Sequence, residues 1–110
     1  MAVVKYKRFD ILLVSLDMTK GHEIQKTRPC VVISPDEMND YIKTLIVAPM
    51  TSQTKGYPTR INVEFSNKEG EIVLDQIRTI DYTRIVKKLG TLDKKTATAV
   101  LETLKELFSP

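Results

Sequence analysis

Three short stretches of this chain hold residues that could act on a charged substrate. His22, Glu23, Gln25, Lys26 and Arg28 form the first; Thr51, Ser52, Gln53, Thr54 and Lys55 the second; Asp75, Gln76 and Arg78 the third. Together they offer cations, hydroxyl donors and groups able to move a proton, which is what binding and cleaving a phosphodiester requires. The same residue types also make ordinary solvated loops, and by type alone that is the commoner outcome. Other chemistries are poorly supplied. Without a CxxC pair, an HExxH run or an acidic calcium loop, no metal is expected. Without GxxxxGK(S/T) or GxGxxG, no nucleotide cofactor is expected. The single cysteine, Cys30, lies within Pro29-Cys30-Val31-Val32-Ile33. Arg28 and His22 are the groups a nucleophilic thiol would want nearby, but the apolar run favours a buried strand residue.

Short strands must position these residues. Residues 8–16 read as a strand with a buried apolar stretch, and residues 17–27 as an exposed polar loop. A second strand begins at Arg28-Pro29, where proline is tolerated because a first strand residue need not donate to the ladder. Ser34 suits a helix cap and Pro35 the first helical position, so a helical turn is expected over residues 34–39. Residues 41–48 form the next strand, closed by Pro49, and residues 50–58 a second polar loop containing Thr51. Ile61, Val63 and Phe65 alternate on one face of a strand over residues 60–65. Residues 66–70 read as a turn, followed by strands around 71–80 and 84–92 joined by a bend at Asp81-Tyr82-Thr83.

One true helix is expected, at the end. Ala97, Val100, Leu101, Leu104, Leu107 and Phe108 recur at helical spacing, Asp93 is a suitable cap, and Glu102, Lys105 and Glu106 take the solvent side. Such a stripe packs onto a sheet more readily than it serves as a partner-binding helix. The expected architecture is mainly β with a C-terminal helix, a small barrel or half-open sheet.

Composition bounds the rest. A chain of 110 residues, 42% apolar and 28% charged, suits one globular domain over residues 1–110. No run approaches the ~18 apolar residues that span a bilayer, and Ile11-Leu12-Leu13-Val14 is too short for a signal peptide. A lone cysteine fits a reducing compartment, so a cytoplasmic protein is expected. The formal charge of +3 permits an anionic partner without requiring one.

Four segments in order and register resemble the MazF/PemK toxin family. They are Asp17-Met18-Thr19-Lys20-Gly21-His22-Glu23; Arg28-Pro29 leading into Val31-Val32-Ile33-Ser34-Pro35; residues 49–58, Pro-Met-Thr-Ser-Gln-Thr-Lys-Gly-Tyr-Pro; and Asp75-Gln76-Ile77-Arg78-Thr79-Ile80-Asp81. The resemblance implies an SH3-like barrel, a homodimer, and metal-independent cleavage of single-stranded mRNA that arrests growth. It also implies an antitoxin whose acidic C-terminal segment covers the RNA groove, with DNA engaged only through that partner and no membrane. Arg28 falls on the family's catalytic arginine and Thr51 on its catalytic hydroxyl. His22 falls on a loop histidine used by some relatives and Asp75 on a carboxylate used in one branch. With Ser52 and Gln53 these are expected catalytic or RNA-binding residues, and Lys20, Glu23, Lys26 and Lys55 are expected RNA-binding residues. In the branch that uses the carboxylate at Asp75 as a base, an arginine stands two residues earlier; here that residue is Val73. Two other readings remain: a same-fold gyrase poison of the CcdB type, whose C-terminal tryptophan this chain lacks, and a non-catalytic RNA-binding barrel, for which the aromatics are too dispersed.

Overall fold

Ile11 and Leu12 are neighbours on one strand and both are enclosed, although successive strand residues face opposite ways. The central strands are therefore covered on both faces, which explains their near-continuous apolar runs. The computed structural model describes residues 5–16 and 27–110. Lys20, His22, Glu23 and Lys26 lie outside the described residues, as does most of the expected first loop.

The described strands are β1 (Asp10–Ser15), β2 (Thr27–Val32), β3 (Thr44–Thr51), β4 (Arg60–Phe65), β5 (Lys68–Val73), β6 (Arg78–Asp81) and β7 (Ile85–Thr91). Two helices accompany them, a single turn α1 (Asp36–Asn39) and α2 (Lys94–Leu107). The strands run β4-β5-β3-β2-β1-β7, with β6 also paired to β3. All the pairings are antiparallel.

The curl of this sheet originates in β3. Thr44–Val47 pairs with β6, whereas Met50 and Thr51 pair with β5. Pro49 sits between these two pairings, so β3 does not end there as its sequence suggested. Ile33 donates its N–H to Ile46 O, which sets the hydrogen-bonded positions across β2–β3 at every second residue. Pro49, opposite Cys30, falls between those positions. Its missing N–H faces the gap where β6 has stopped and β5 has not begun, so the ladder loses nothing.

Two apolar clusters fill the two faces. Val31, Ala48, Met50, Ile72 and Val100 belong to the one under α2, and Leu12, Val14, Cys30, Val32 and Ile80 to the other. Asp93 caps α2 by accepting the Thr96 N–H at 3.1 Å. The helical stripe is only partly covered: Ala97 and Val100 are buried, while Phe108, just past the helix end, is 71% exposed.

Three local expectations are revised. Ser34 does not cap α1; its hydroxyl is buried, donating to Asn39 Oδ1 at 2.6 Å and accepting the Ile46 N–H at 3.1 Å. Pro35 takes the cap position without a side-chain bond. The turn expected over residues 66–70 contracts to two residues, Ser66 and Asn67, at φ 54° and 63°. Two positive φ values match the twist of the flanking strands, so β4 and β5 pair directly from Phe65 and Lys68. Residues 74–76 break the expected strand over 71–80 into β5 and β6 as a 3₁₀ turn.

Candidate active site

The β2–β3 register explains how Arg28 and Thr51, 23 positions apart, come together. Its recorded pairs are Val32 with Val47, Val31 with Ala48 and Cys30 with Pro49. Continued by two residues, the same register sets Arg28 opposite Thr51, on one face of the neighbouring strand ends. Both residues line the same two hollows. Thr51 is therefore the last residue of β3 rather than part of the loop. Its position is fixed by a ladder as well as by chain connectivity.

The smaller hollow, about 350 Å³, is the polar one. Arg28, Lys55, Arg60 and Arg78 line it together with Thr51, Gln53 and Gln76, and among the described residues no carboxylate does. Arg78 arrives from β6, held opposite Val47 of β3. Among the described residues, Arg28, Lys55 and Arg78 are in no ion pair, so their charge is available to an anion. The Thr51 Oγ1 accepts the Gln53 N–H at 3.1 Å, which leaves the hydroxyl proton free to point into the cleft. The larger hollow, about 640 Å³, lies between β2 and the β4–β5 hairpin and is lined by Pro29, Met50, Val63, Phe65 and Leu89 beside Arg28 and Thr51.

Behind the polar hollow stands a second charged group that is fully engaged. Asp75 accepts the Thr59 hydroxyl at 2.9 Å and Arg60 Nε at 3.2 Å. The Arg60 bond holds the Asp75 carboxyl below its ordinary range, and the same bond raises the pKa of the Arg60 guanidinium. Glu71 is completely enclosed, with both carboxylate oxygens used by the backbone N–H groups of Lys55 and Gly56. Those two bonds hold its pKa down despite burial. Ser52 lines the larger hollow and Gln53 the smaller, and both side chains are exposed.

Cys30 behaves as its sequence setting suggests. It is fully enclosed, and burial pushes its thiol up to about 12, with Arg78 and Arg28 only partly offsetting this. A thiol so poorly ionised is no nucleophile. Sequence reading did not single out Arg60 or Glu71 at all. An acidic residue at 71, with apolar neighbours Ile72, Val73 and Leu74, is the one signal that could have pointed to a buried, partnered carboxylate.

A curled antiparallel half-barrel with a cation-lined cleft at the ends of its central strands defines the class of molecule. Comparison with known proteins gives the family. The model of the PemK-like, MazF-like toxins of type II toxin-antitoxin systems matches residues 7–108, and the chain belongs to that family. It is 37% identical over 95 residues to the endoribonuclease MazF of Staphylococcus saprophyticus, covering 81% of this chain and 79% of that one. Against the endoribonuclease toxin MazF of Escherichia coli K12 it is 34% identical over 84 residues, 76% of each chain. In fold it is similar to the MazE-MazF crystal structure from Deinococcus radiodurans, with a TM-score of 0.82 at 23% identity, covering 96% of each chain. The mainly β barrel with a C-terminal helix expected from sequence is thus the fold observed. No helix among the described residues is long and apolar enough to cross a membrane.

Proposed function

We propose that this chain is the toxin of a toxin–antitoxin pair and arrests growth by cutting single-stranded mRNA without a metal. The observation that carries the reading is the convergence of Arg28, Lys55, Arg78 and the Thr51 hydroxyl on one cleft that, among the described residues, no carboxylate lines. In the proposed reaction a ribose 2′-hydroxyl attacks its adjacent phosphorus and the bond to the 5′-oxygen breaks. The products are a 2′,3′-cyclic phosphate and a free 5′-hydroxyl. Arg28 meets the charge that builds on the non-bridging oxygens, because its donors form a rigid fork. Thr51 donates to the same oxygens. Deoxyribose lacks the nucleophile, so a DNA backbone at the scissile position resists cleavage.

The other residues take supporting roles. Ser52, Gln53 and Lys55 contact RNA from the strand end and the loop that follows it, and Lys20, Glu23 and Lys26 are further RNA-binding residues. His22 moves a proton, since its reference pKa lies near neutrality. The bonds that Asp75 accepts from Thr59 and Arg60 support a positioning role for this carboxylate rather than that of a base. The exposed Leu107 at the end of α2 and Phe108 just past it support a homodimer, in which the groove for unpaired RNA runs between protomers. The cleft cations Arg28, Lys55 and Arg78, in no ion pair among the described residues, support inhibition in the cytoplasm by an acidic antitoxin segment, through which alone DNA is engaged.

The test is incubation of the protein with a long RNA in chelator, followed by mapping of both product ends. Cyclic phosphate and 5′-hydroxyl ends are expected. Binding without cleavage would support the non-catalytic barrel, and inhibition of gyrase with intact RNA would support the CcdB-type reading.

A further inference from the structure

We infer that Glu71 is a positioning residue, a buried carboxylate that sets the shape of the loop after β3 and so places Gln53 and Lys55 at the cleft. The inference deepens the RNA-cleaving reading and depends on it only for its kinetic arm. Residues 52–59 lie between β3 and β4 and have no strand or helix to fix them. A side chain performs that task instead. Glu71 Oε1 accepts the Lys55 N–H at 3.0 Å and Oε2 accepts the Gly56 N–H at 2.8 Å. Both donors are backbone groups, so the bonds fix main-chain position and leave the Lys55 ammonium free for a ligand. Gly56 stands at φ +70°, a conformation open to glycine, so the chain turns directly after the two N–H groups that meet the carboxylate.

The clamp is itself anchored. Glu71 is opposite Thr51 across β3–β5 and opposite Asn62 across β4–β5, so its backbone cannot shift without moving the strand end that carries Thr51. Arg60 Nη1 lies 3.8 Å from Glu71 Oε1, while Arg60 Nε bonds Asp75 and its guanidinium covers the Tyr57 ring at 4.8 Å. The loop is thus fastened at residues 55, 56 and 57 to one buried acid and the arginine beside it. An enclosed carboxylate is costly to retain unless its charge is used, and here each oxygen is used on the loop.

The experiment compares the wild type with Glu71→Gln, which keeps shape but presents an NH₂ group to one of the two N–H donors. In hydrogen exchange, the Lys55 and Gly56 amides should lose about tenfold or more of their protection while the β2–β3 ladder keeps its own. With a short RNA, KM should rise about tenfold and kcat change by less than about threefold, because the loop moves while Arg28 and Thr51 stay. Unchanged exchange at Lys55 and Gly56, or unchanged KM in the folded variant, overturns the inference. So does an equal loss of protection throughout the sheet, which would make Glu71 a general core group. Should Glu71→Gln fail to fold, Gly56→Ala decides. Its added Cβ meets nothing within 4 Å, so only the strained φ disturbs the loop, and KM should again rise; an unchanged KM overturns the inference. If the wild type cuts no RNA, the functional reading fails while the exchange measurement still decides the clamp.

Discussion

Arg28 and Arg60 border the same polar hollow, yet they are held in opposite ways. The Arg60 side chain is 12% exposed, bonded to Asp75, near Glu71 and laid over Tyr57. Arg28 is exposed on the end of β2 and, among the described residues, in no ion pair. A guanidinium whose charge is already matched holds structure; one whose charge is unmatched beside a free hydroxyl is ready for an anion. The comparison separates the cations of the cleft into those that build it and those that use it.

The largest effect that would break this division concerns the using group. Arg28→Ala and Thr51→Ala should each lower the RNA cleavage rate by about a hundredfold or more, the usual loss on removing a transition-state donor. Circular dichroism and melting should show an unchanged fold. A folded Arg28→Ala protein that cleaves at the wild-type rate would remove Arg28 from the mechanism.

Gly70 offers a less direct route to the same site. A Cβ there would collide with the Thr51 carbonyl oxygen and press on its carbonyl carbon at 3.3 Å. Gly70→Ala should therefore displace the end of β3, costing about 1–3 kcal/mol in stability. Cleavage by the folded protein should drop roughly tenfold, as for other small misplacements of a reacting group. Urea unfolding and cleavage assays on one preparation measure both effects. A loss of stability with full activity would mean that the Thr51 position is not critical.

The building group should respond in the reverse sense. Arg60→Ala should lower Tm by several degrees while reducing cleavage less than Arg28→Ala does. Its partners also predict a pH dependence. The Asp75 and Glu71 carboxyls are held below their ordinary range in the folded protein, so their contribution is complete above the unfolded value of about 4. It is lost as pH falls through the lower folded values, because protonation then favours the unfolded chain. Urea unfolding between neutral and strongly acidic pH should show this decline, and Asp75→Asn should make it shallower. An identical slope in that variant would show that the Arg60 pair contributes nothing to folding.

The smallest expected effect is at His22. If it carries a proton in the rate-limiting step, His22→Ala flattens the acidic limb of the pH–rate profile with the rate at the optimum only modestly reduced. An unchanged profile would leave His22 with no part in proton transfer.

What the sequence determined by itself was local or carried by residue order. The apolar spacing from Ala97 to Leu104 and the cap at Asp93 produced α2, since a cap and one helical face lie within a few residues of each other. Alternation at Ile61, Val63 and Phe65 gave β4 its inward face, and an apolar setting was enough to bury Cys30. Four segments in register carried Arg28 and Thr51 into a known family. The tertiary structure decided what depends on partners far along the chain. Pro49 reads as a strand end until the gap between β6 and β5 is seen to need no donor from it. Arg60 and Arg28 are one residue type in sequence, and only packing gives Asp75, 15 positions away, to Arg60. Glu71 looks like a surface acid until the Lys55 amide, 16 positions earlier, is folded over it. Periodicity and capping act within a turn or two of chain, whereas matching a buried charge needs the pairing of strands that sequence order does not specify.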